Sequence, residues 1–434
     1  MTHFSVVNGR LIDPRNGTDR TLDLHVRDGR IAGIGPRPAN FAGAQTYDAS
    51  GCLVIPGLVD VAVRLREPGL EYKATLHSEL LAAVAGGVTT VACLPDTDPP
   101  LDEPGLVEML KHRARLLNLA HVFPLGALTA KLGGERLTEM AELSDAGCVG
   151  FSHADAPLVD TQVLYRALQY AATFGFKVWL RPQDPFLSRN GVAHDGEVAT
   201  RLGLPGIPSA AETIALDTIL RLVRITGAAV HICRLSTAEA VDMLRAAKRD
   251  GLPVTCDVAA CHLHLCDADI GYFDPMMHLI PPLRTPADRA ALRGGLADGT
   301  IDAICSDHRP VDEDAKHLPF GESEPGASGL ELLLPLALKW GREERRPLSE
   351  VVARITSHAA RVLGREQDAG HLSHGAPADL CIVDPEAEYT VTAETLKSQG
   401  KNTPFIGVRL AGRVRGTFVS GQQVYSVEGP LNGA

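Results

Sequence analysis

From residue 53 onward, short apolar runs alternate with amphipathic stretches of helical period. The runs are rich in Val, Ile, Leu, Cys and Thr and predict buried strands at 53–61, 88–95, 121–128, 148–153, 177–182, 228–235, 253–259 and 301–306. The stretches between them predict helices, among them 76–85, 104–117, 160–174, 208–226 and 237–249. Eight strand–helix units predict an α/β fold, a (β/α)8 TIM barrel around a parallel sheet.

The two ends of the chain follow another pattern, in which short alternating segments are separated by Asn-Gly, Asp-Gly and Gly-Pro turns. Residues 5–9 and 24–29 are typical of hairpin strands. The same alternating pattern occurs again at 378–383 and 415–419. We therefore predict a small β-sandwich built from both termini beside the barrel. The predicted divisions are 1–55 and 369–434 for the sandwich and 56–368 for the barrel.

The composition is that of an ordinary globular protein, with 434 residues, 45% hydrophobic residues and a formal net charge of -11. An acidic chain without basic runs is a poor partner for nucleic acid or for an anionic membrane. We see no signal-peptide pattern at the N-terminus and no apolar run of membrane-spanning length. The nine cysteines form no C-x-x-C pair. Scattered thiols of this kind indicate a reduced, cytoplasmic protein.

The first predicted barrel strand leads into the motif Pro-Gly-Leu-Val-Asp-Val-Ala-Val-Arg-Leu-Arg-Glu-Pro-Gly at 56–69. This motif resembles the first-strand signature of the dihydroorotase-like branch of the amidohydrolase superfamily, Pro-Gly-x-x-Asp-x-His-x-His-x-Arg-Glu-Pro. Ala62 and Arg64 stand where that family has two metal-binding histidines. A methyl group cannot bind zinc, and a guanidinium group repels it.

The resemblance extends over nearly the whole chain, through Pro281-Pro282-Leu283-Arg284, Ser306-Asp307-His308 and Gly329-Leu330-Glu331. It implies an amidohydrolase type of barrel with further metal positions at His153, Arg181 and Arg234, none of which holds the family's ligand. It implies that the strand-8 carboxylate alone keeps a ligand type and that a remnant of the substrate pocket persists. That carboxylate is Asp307, and the remnant comprises Arg66, Asp96 and His308.

In active members of the family, two metal ions lower the pKa of a bound water and polarise the amide carbonyl. With five of six ligand positions replaced, the resemblance implies no resident metal and no ordinary hydrolysis. Asp307, the general base of active members, is then vestigial because it has no metal-bound water to deprotonate.

Three of the five replacements are arginines, at 64, 181 and 234. Without metal ions, carboxylates at Asp60, Asp307 and Asp184 would be buried without a counter-charge, which is unfavourable. We therefore predict an Arg–Asp network that fills the former metal site. Two alternatives stay open: the arginines point to solvent, or they join Arg66 and Arg309 in an anion-binding pocket.

A different metal site would have to use other ligand types. Cys261, His262 and His264, with His153, Asp155 and His308, supply them, but their spacing matches no strong zinc signature. A pair of packed histidines is the simpler interpretation. Lys131 or Lys177 as a carboxylated, metal-bridging lysine fits less well, because neither lies where a strand-4 ligand should.

The sequence closely resembles the inactive dihydroorotase-like chains that associate with aspartate carbamoyltransferase in bacterial pyrimidine biosynthesis. This resemblance implies a non-catalytic chain without a cofactor, whose partner is the catalytic chain of that transferase and which forms a homo-oligomer. The outer helices and the region 185–207 are the candidate interfaces. The alternatives are an active cyclic amidohydrolase with an atypical zinc site and a pseudoenzyme that senses an anionic metabolite.

Overall fold

The computed structural model describes residues 3–41 and 43–427. Seven strands precede the barrel: β1 (His3–Val7), β2 (Arg10–Asp13), β3 (Thr18–Thr21), β4 (Leu24–Arg27), β5 (Arg30–Ile34), β6 (Gln45–Asp48) and β7 (Leu53–Pro56). Four of them form one sheet in the order β5-β4-β1-β6. The other three belong to a second sheet that also takes in strands from the C-terminal part of the chain.

The barrel follows at once, with strands β8 (Leu58–Val63), β9 (Val88–Cys93), β10 (His121–Pro124), β11 (Gly126–Ala127), β12 (Phe151–Ser152), β13 (Lys177–Leu180), β16 (Ala229–Ile232), β17 (Val254–Ala259) and β18 (Ala303–Cys305). The pairs are parallel, and β10 and β11 occupy one barrel position on either side of Leu125. A parallel bridge between Val63 and His308 joins the last position to the first. Two short strands, β14 (Ala193–His194) and β15 (Gly206–Ile207), pair in a loop outside the ring.

The helices are α1 (Leu76–Ala85), α2 (Pro104–Leu117), α3 (Met140–Ala146), α4 (Thr161–Phe174), α5 (Glu197–Leu202), α6 (Ala210–Thr226), α7 (Ala238–Arg249), α8 (Pro286–Ala297), α9 (Leu333–Glu343), α10 (Leu348–Ile355) and α11 (Ser357–Leu363). Their ends follow local chemistry. Thr75 and Thr237 accept backbone N–H bonds as N-caps of α1 and α7. Gly175 and Gly227 end α4 and α6 in the left-handed conformation.

The chain returns to the second sheet with β19 (Leu380–Thr390), β20 (Arg409–Val419) and β21 (Gln422–Ser426), in the order β21-β20-β19-β7-β2-β3. Phe4, Tyr47 and Phe418 pack their rings together between the two sheets, with centroids 5.0–5.2 Å apart. Both ends of the chain therefore build one sandwich. No helix of residues 3–41 and 43–427 is long and apolar enough to cross a membrane.

One predicted strand, 53–61, is two strands in the structure. Leu53–Pro56 pairs with β19 in the sandwich, whereas Leu58–Val63 enters the barrel. Gly57 separates them, and a Cβ at this position would lie 2.1 Å from the Thr89 hydroxyl. The break therefore depends on close packing against a residue distant in sequence. The predicted strands 148–153 and 301–306 are shorter than expected, at two and three residues.

Candidate functional site: a guanidinium–carboxylate network at the barrel mouth

The carboxylate of Asp155, just beyond β12, is the centre of the barrel mouth. Its Oδ2 accepts hydrogen bonds from Arg64 Nη2 at 2.6 Å and from Arg309 Nη1 at 2.8 Å. Its Oδ1 accepts from Arg181 Nε at 2.6 Å and from Arg234 Nη2 at 2.7 Å. Four arginines from four different parts of the barrel therefore share one carboxylate.

Two further carboxylates complete the network. Arg64 donates through Nε to Asp96 Oδ2 at 2.6 Å and through Nη1 to Asp307 Oδ1 at 3.3 Å. Arg234 Nη1 donates to the same Asp307 oxygen at 2.8 Å. Each guanidinium nitrogen of Arg64 thus has a carboxylate partner, and the side chains of Arg64 and Arg234 are 1% exposed. The alternative in which these arginines point to solvent is wrong.

The proximity of opposite charges outweighs burial at the centre of the network. Burial disfavours the charged form of Asp155, but Arg234 and Arg64 hold its pKa well below the usual range. Burial also disfavours the charged forms of Arg64 and Arg234, yet their carboxylate partners raise both pKa values. At the rim, burial lowers the pKa values of Arg181 and Arg309, and neighbouring guanidinium groups add to that effect.

The charges of the network do not balance. Four guanidinium groups (Arg64, Arg181, Arg234 and Arg309) face three carboxylates (Asp96, Asp155 and Asp307). One positive charge is therefore in excess within a buried site.

Two of the carboxylates predicted for the network lie outside it. Asp60 Oδ1 accepts from the backbone N–H groups of Ala62 and Ser306, and its Oδ2 has no partner among the described residues. Burial raises the pKa of Asp60 to about 7. Asp184 Oδ1 accepts the backbone amides of residues 186–187 and shapes that loop. The expectation that these two residues neutralise the arginines was wrong, and Asp155 takes that role.

Two of the replaced ligand positions play no part in the network. Ala62 is buried and apolar, and its backbone carbonyl accepts from the N–H of His308. The ring of His153 bonds Thr129 Oγ1 at 2.8 Å and the carbonyl of Ala156 at 2.9 Å. Burial lowers the pKa of His153, so the ring is neutral near pH 7.

The predicted remnant of a substrate pocket is only partly assembled: the charges of Arg66 and Asp96 interact, whereas His308 does not join them. Asp96 belongs to the network. Arg66 donates through Nε to the carbonyl of Pro310 at 2.9 Å, and its Nη2 lies 3.7 Å from Glu324 Oε1. Burial lowers the pKa of Arg66 to about 10.

His308 points away from the mouth. Its Nε2 donates to Glu79 Oε2 on α1 at 2.6 Å, and its Nδ1 accepts from the N–H of Gly329 at 3.1 Å. Burial alone would raise the pKa of Glu79, but bonds from His308 and Ser398 lower it. His308 therefore anchors a helix and does not face a ligand.

The side chains at the mouth do not fit a metal pair. The ligand types there are the carboxylates of Asp96, Asp155 and Asp307, and each of them already accepts hydrogen bonds from arginines. The alternative ligands are scattered: His262 bonds the carbonyl of Pro281, and His264 bonds that of Leu336. A metal ion in this place would have to displace guanidinium groups of its own sign of charge.

One group of three ligand types does exist among residues 3–41 and 43–427, beneath the mouth: His231, Cys233 and Asp257, with ligand atoms within 4.8 Å of one another. His231 Nε2 bonds Asp257 Oδ2 at 2.8 Å, and its Nδ1 bonds Thr255 Oγ1. These bonds use the nitrogens that a metal would need. Lys177 bonds the carbonyl of Val362 on α11 and bridges nothing at the mouth.

Comparison with known proteins gives the family. The model for Dihydro-orotase-like proteins matches residues 51–240, and that for the Amidohydrolase family matches residues 335–425. A dihydroorotase-like protein of Pseudomonas putida is 44% identical over 98% of this chain and 100% of its own length. The chain belongs to the dihydroorotase-like amidohydrolases. A dihydroorotase of Geobacter sp. (strain M21) is 41% identical to this dihydroorotase-like chain, over 97% of the chain and 98% of its own length.

Solved structures give the same fold for the dihydroorotase-like chain. The L-hydantoinase (dihydropyrimidinase) from Arthrobacter aurescens superimposes with a TM-score of 0.88 at 25% identity, covering 98% of this chain and 96% of that one. The amidohydrolase type of TIM barrel predicted from the sequence is thereby confirmed.

Sequence reasoning missed Asp155 as the shared partner of the arginines. The available signal was its position two residues after His153, at the carboxyl end of a predicted barrel strand, where such barrels place their functional groups. Arg309 was foreseen as part of an anion pocket, whereas in the structure it donates to Asp155.

Proposed function

We propose that this dihydroorotase-like chain is a non-catalytic homologue that acts as a structural partner of the catalytic chain of aspartate carbamoyltransferase. The observation that carries the proposal is the engagement of Asp307 by both Arg64 and Arg234. A hydrolytic amidohydrolase needs that carboxylate next to a metal-bound water. Here guanidinium groups stand around it.

The network supports a structural role for the mouth. Arg64, Arg181, Arg234 and Arg309 come from separate strand ends and loops, and all four bond Asp155. Such a set of bonds fixes the relative positions of those segments. A rigid barrel presents a constant outer surface, which a permanent complex with an interface above roughly 1,000 Å² requires.

The identity of the partner rests on the resemblance of the motif at 56–69, with its lost histidines, to inactive chains that assemble with the transferase. The extensive similarity to a dihydroorotase-like protein of Pseudomonas putida supports the family to which that resemblance assigns the chain. We further propose that the chain is cytoplasmic and forms a homo-oligomer within that assembly.

A second candidate function is an active cyclic amidohydrolase that opens a cyclic amide at its C–N bond. The observation that favours it is the 41% identity to proteins named dihydroorotase, such as that of Geobacter sp. (strain M21). This function would require zinc at a site other than the mouth described above.

The test begins with protein purified from zinc-supplemented cells without chelator. We expect metal content near zero per chain and no hydrolysis of dihydroorotate. One or two zinc ions per chain, with ring hydrolysis abolished by a chelator, would overturn the proposal in favour of the second candidate.

The partner is tested separately by sedimentation velocity with the purified catalytic chain of aspartate carbamoyltransferase. We expect a complex that sediments faster than either protein alone. Two independent boundaries at micromolar concentrations would overturn the assignment of the partner and leave the absence of catalysis intact.

A further inference from the structure

A cavity of about 290 Å³ lies beside the network, between the ends of β12 and β13 and helices α4 and α6. Its walls are mainly apolar, contributed by Leu158, Val159, Leu164, Phe186, Ile214, Ala215 and Ile219. The ionisable groups that line it are His153, Asp155, Arg181 and Asp184. The cavity thus combines an apolar body with a small charged end, as ligand sites commonly do.

At the charged end of the cavity, Arg181 still has a hydrogen-bond donor that is not used within the described chain. Its Nε donates to Asp155, and its Nη1 donates to Gln183 Oε1. Its Nη2 makes no hydrogen bond to any residue of the described chain, although the side chain is only 7% exposed. An arginine in this state can still bind a planar anion.

The other groups lining the cavity are already engaged. Both oxygens of Asp155 are taken by arginines. Asp184 Oδ1 holds two loop amides, and the ring of His153 bonds Thr129 and a backbone carbonyl.

The excess of one guanidinium group in the network gives an electrostatic reason for a bound anion. A single carboxylate placed on Arg181 would bring the count to four guanidinium groups and four carboxylates. Pairing with Arg181, whose side chain is 7% exposed, is stronger than pairing in water because the surroundings screen charge less.

We propose that this cavity binds a small-molecule carboxylate with an apolar body, with the carboxylate on Arg181 and the body between α4 and α6. The volume is close to the lower end for ligand sites, about 300 Å³, and suits a ligand with one ring or a short acyl chain. The inference is independent of the proposed function, since it requires neither the transferase nor hydrolysis.

The experiment uses 3-phenylpropionate as the probe and isothermal titration calorimetry of the full chain as the readout. We expect saturable binding of one molecule per chain. The neutral analogue 3-phenylpropanamide has nearly the same shape, and we expect it to bind at least tenfold more weakly. Equal binding of the acid and the amide would overturn the proposal. The absence of any binding when the acid is present at about 10 mM would also overturn it.

Two variants locate the site. Arg181→Gln removes the charge that is in excess, so it should fold normally and lose at least tenfold in affinity for the acid. Ala215→Phe fills the cavity from α6 and should abolish binding, whereas Ala210→Phe makes the same change at an exposed position of the same helix outside the cavity and should leave binding unchanged.

The pattern across these variants decides the outcome. Loss of binding in Arg181→Gln with full binding in Ala215→Phe would place the anion elsewhere on the network and overturn the cavity as the site. A thermal unfolding curve for each variant shows that it is folded, and full binding by Arg181→Gln would overturn the role of the guanidinium group.

Discussion

Asp155 is the residue on which the barrel mouth depends, because its two oxygens accept hydrogen bonds from four arginines. Its side chain is 14% exposed, so most of the attraction acts away from bulk water. Removing such a carboxylate leaves several buried cations without their partner, which costs more than the pairing itself contributed.

We expect Asp155→Ala to lower the free energy of unfolding by roughly 3–5 kcal/mol, as breaking a buried pair does. The matched control is Asp217→Ala, which removes the exposed partner of Arg221 on α6 and should leave the free energy of unfolding nearly unchanged, because solvent screens that pair. Urea unfolding measures both. A loss below 1 kcal/mol in Asp155→Ala would contradict the central role of this carboxylate.

Asp60 gives a prediction for the pH dependence of stability. Burial raises its pKa from 3.8 to about 7 in the folded protein, so the folded state holds this proton more tightly than the unfolded state does. The stabilisation of the folded state by this tighter proton binding is therefore fully present below about pH 4 and is lost as the pH rises towards 7.

The variant Asp60→Asn removes this titration, and its amide oxygen can still accept the N–H groups of Ala62 and Ser306. We expect the free energy of unfolding to fall less steeply between pH 4 and 7 in the variant than in the wild type. Glu331, whose pKa burial also raises to about 7, keeps part of the slope in both proteins. Identical slopes would show that Asp60 is already ionised at pH 5.

The positions of the arginines could be predicted from the sequence, whereas their partner could not. Arg64, Arg181 and Arg234 occupy strand ends that the period of the apolar runs reveals, so their convergence follows from the barrel. Asp155 lies in a loop, and the path of a loop depends on packing with distant segments. Its neighbour Ala154 even adopts a left-handed φ of 50°, which a local pattern does not indicate for alanine.

At the scale of elements, residues 396–402 form a strap that ties the sandwich end of the chain to the barrel. Glu79 of α1 accepts bonds from Ser398 Oγ at 2.6 Å and from the N–H of Gln399 at 3.0 Å. Asn402 Nδ2 donates to the carbonyls of Arg309 and Gly326, each at 3.0 Å. The strap thereby holds the loop that carries Arg309.

We expect Asn402→Ala to destabilise the protein by about 2–3 kcal/mol, because it leaves buried backbone groups around the strap without a partner. Gln399→Ala is the control, since this exposed side chain bonds only the carbonyls of residues 71–72. Hydrogen exchange should also speed up at the amide of Val311, which donates to Asn402 Oδ1. Equal effects of the two variants would contradict this function of the strap.

The alternation of strands and helices could be predicted because each period is a local property of the sequence. The predicted helices 160–174, 208–226 and 237–249 begin within two residues of their observed starts and end at the observed residue. The division of 53–61 into two strands could not be predicted from the sequence. Position 57 must be glycine because folding brings Thr89 beside it, and this contact is not a local property of the sequence.

At the scale of the whole molecule, the barrel and the sandwich are continuous, since β7 of the sandwich leads through Gly57 directly into β8 of the barrel. The cores of the barrel and of the sandwich bury most of the cysteine side chains. All nine cysteines are free thiols, eight of them buried and Cys52 partly accessible. Burial raises the pKa of the Cys93 and Cys148 thiols to about 12.

A thiol-reactive chromophore such as Ellman's reagent tests this packing. We expect about one thiol per native chain to react at pH 8, because attack requires an accessible thiolate. All nine should react in denaturant. Cys52→Ser should remove the native reaction, and three or more reactive thiols in the folded protein would contradict the enclosure described here.

The sharing of Asp155 by four arginines also limits how this chain can change over generations. A single change of Arg64 or Arg234 to histidine would remove buried ion pairs, while the remaining arginines would still bond Asp155. Either of these two changes would therefore lower stability without creating a metal site. The network therefore couples these positions in evolution: several residues that are distant in sequence would have to change together before a metal ion could be held at the mouth.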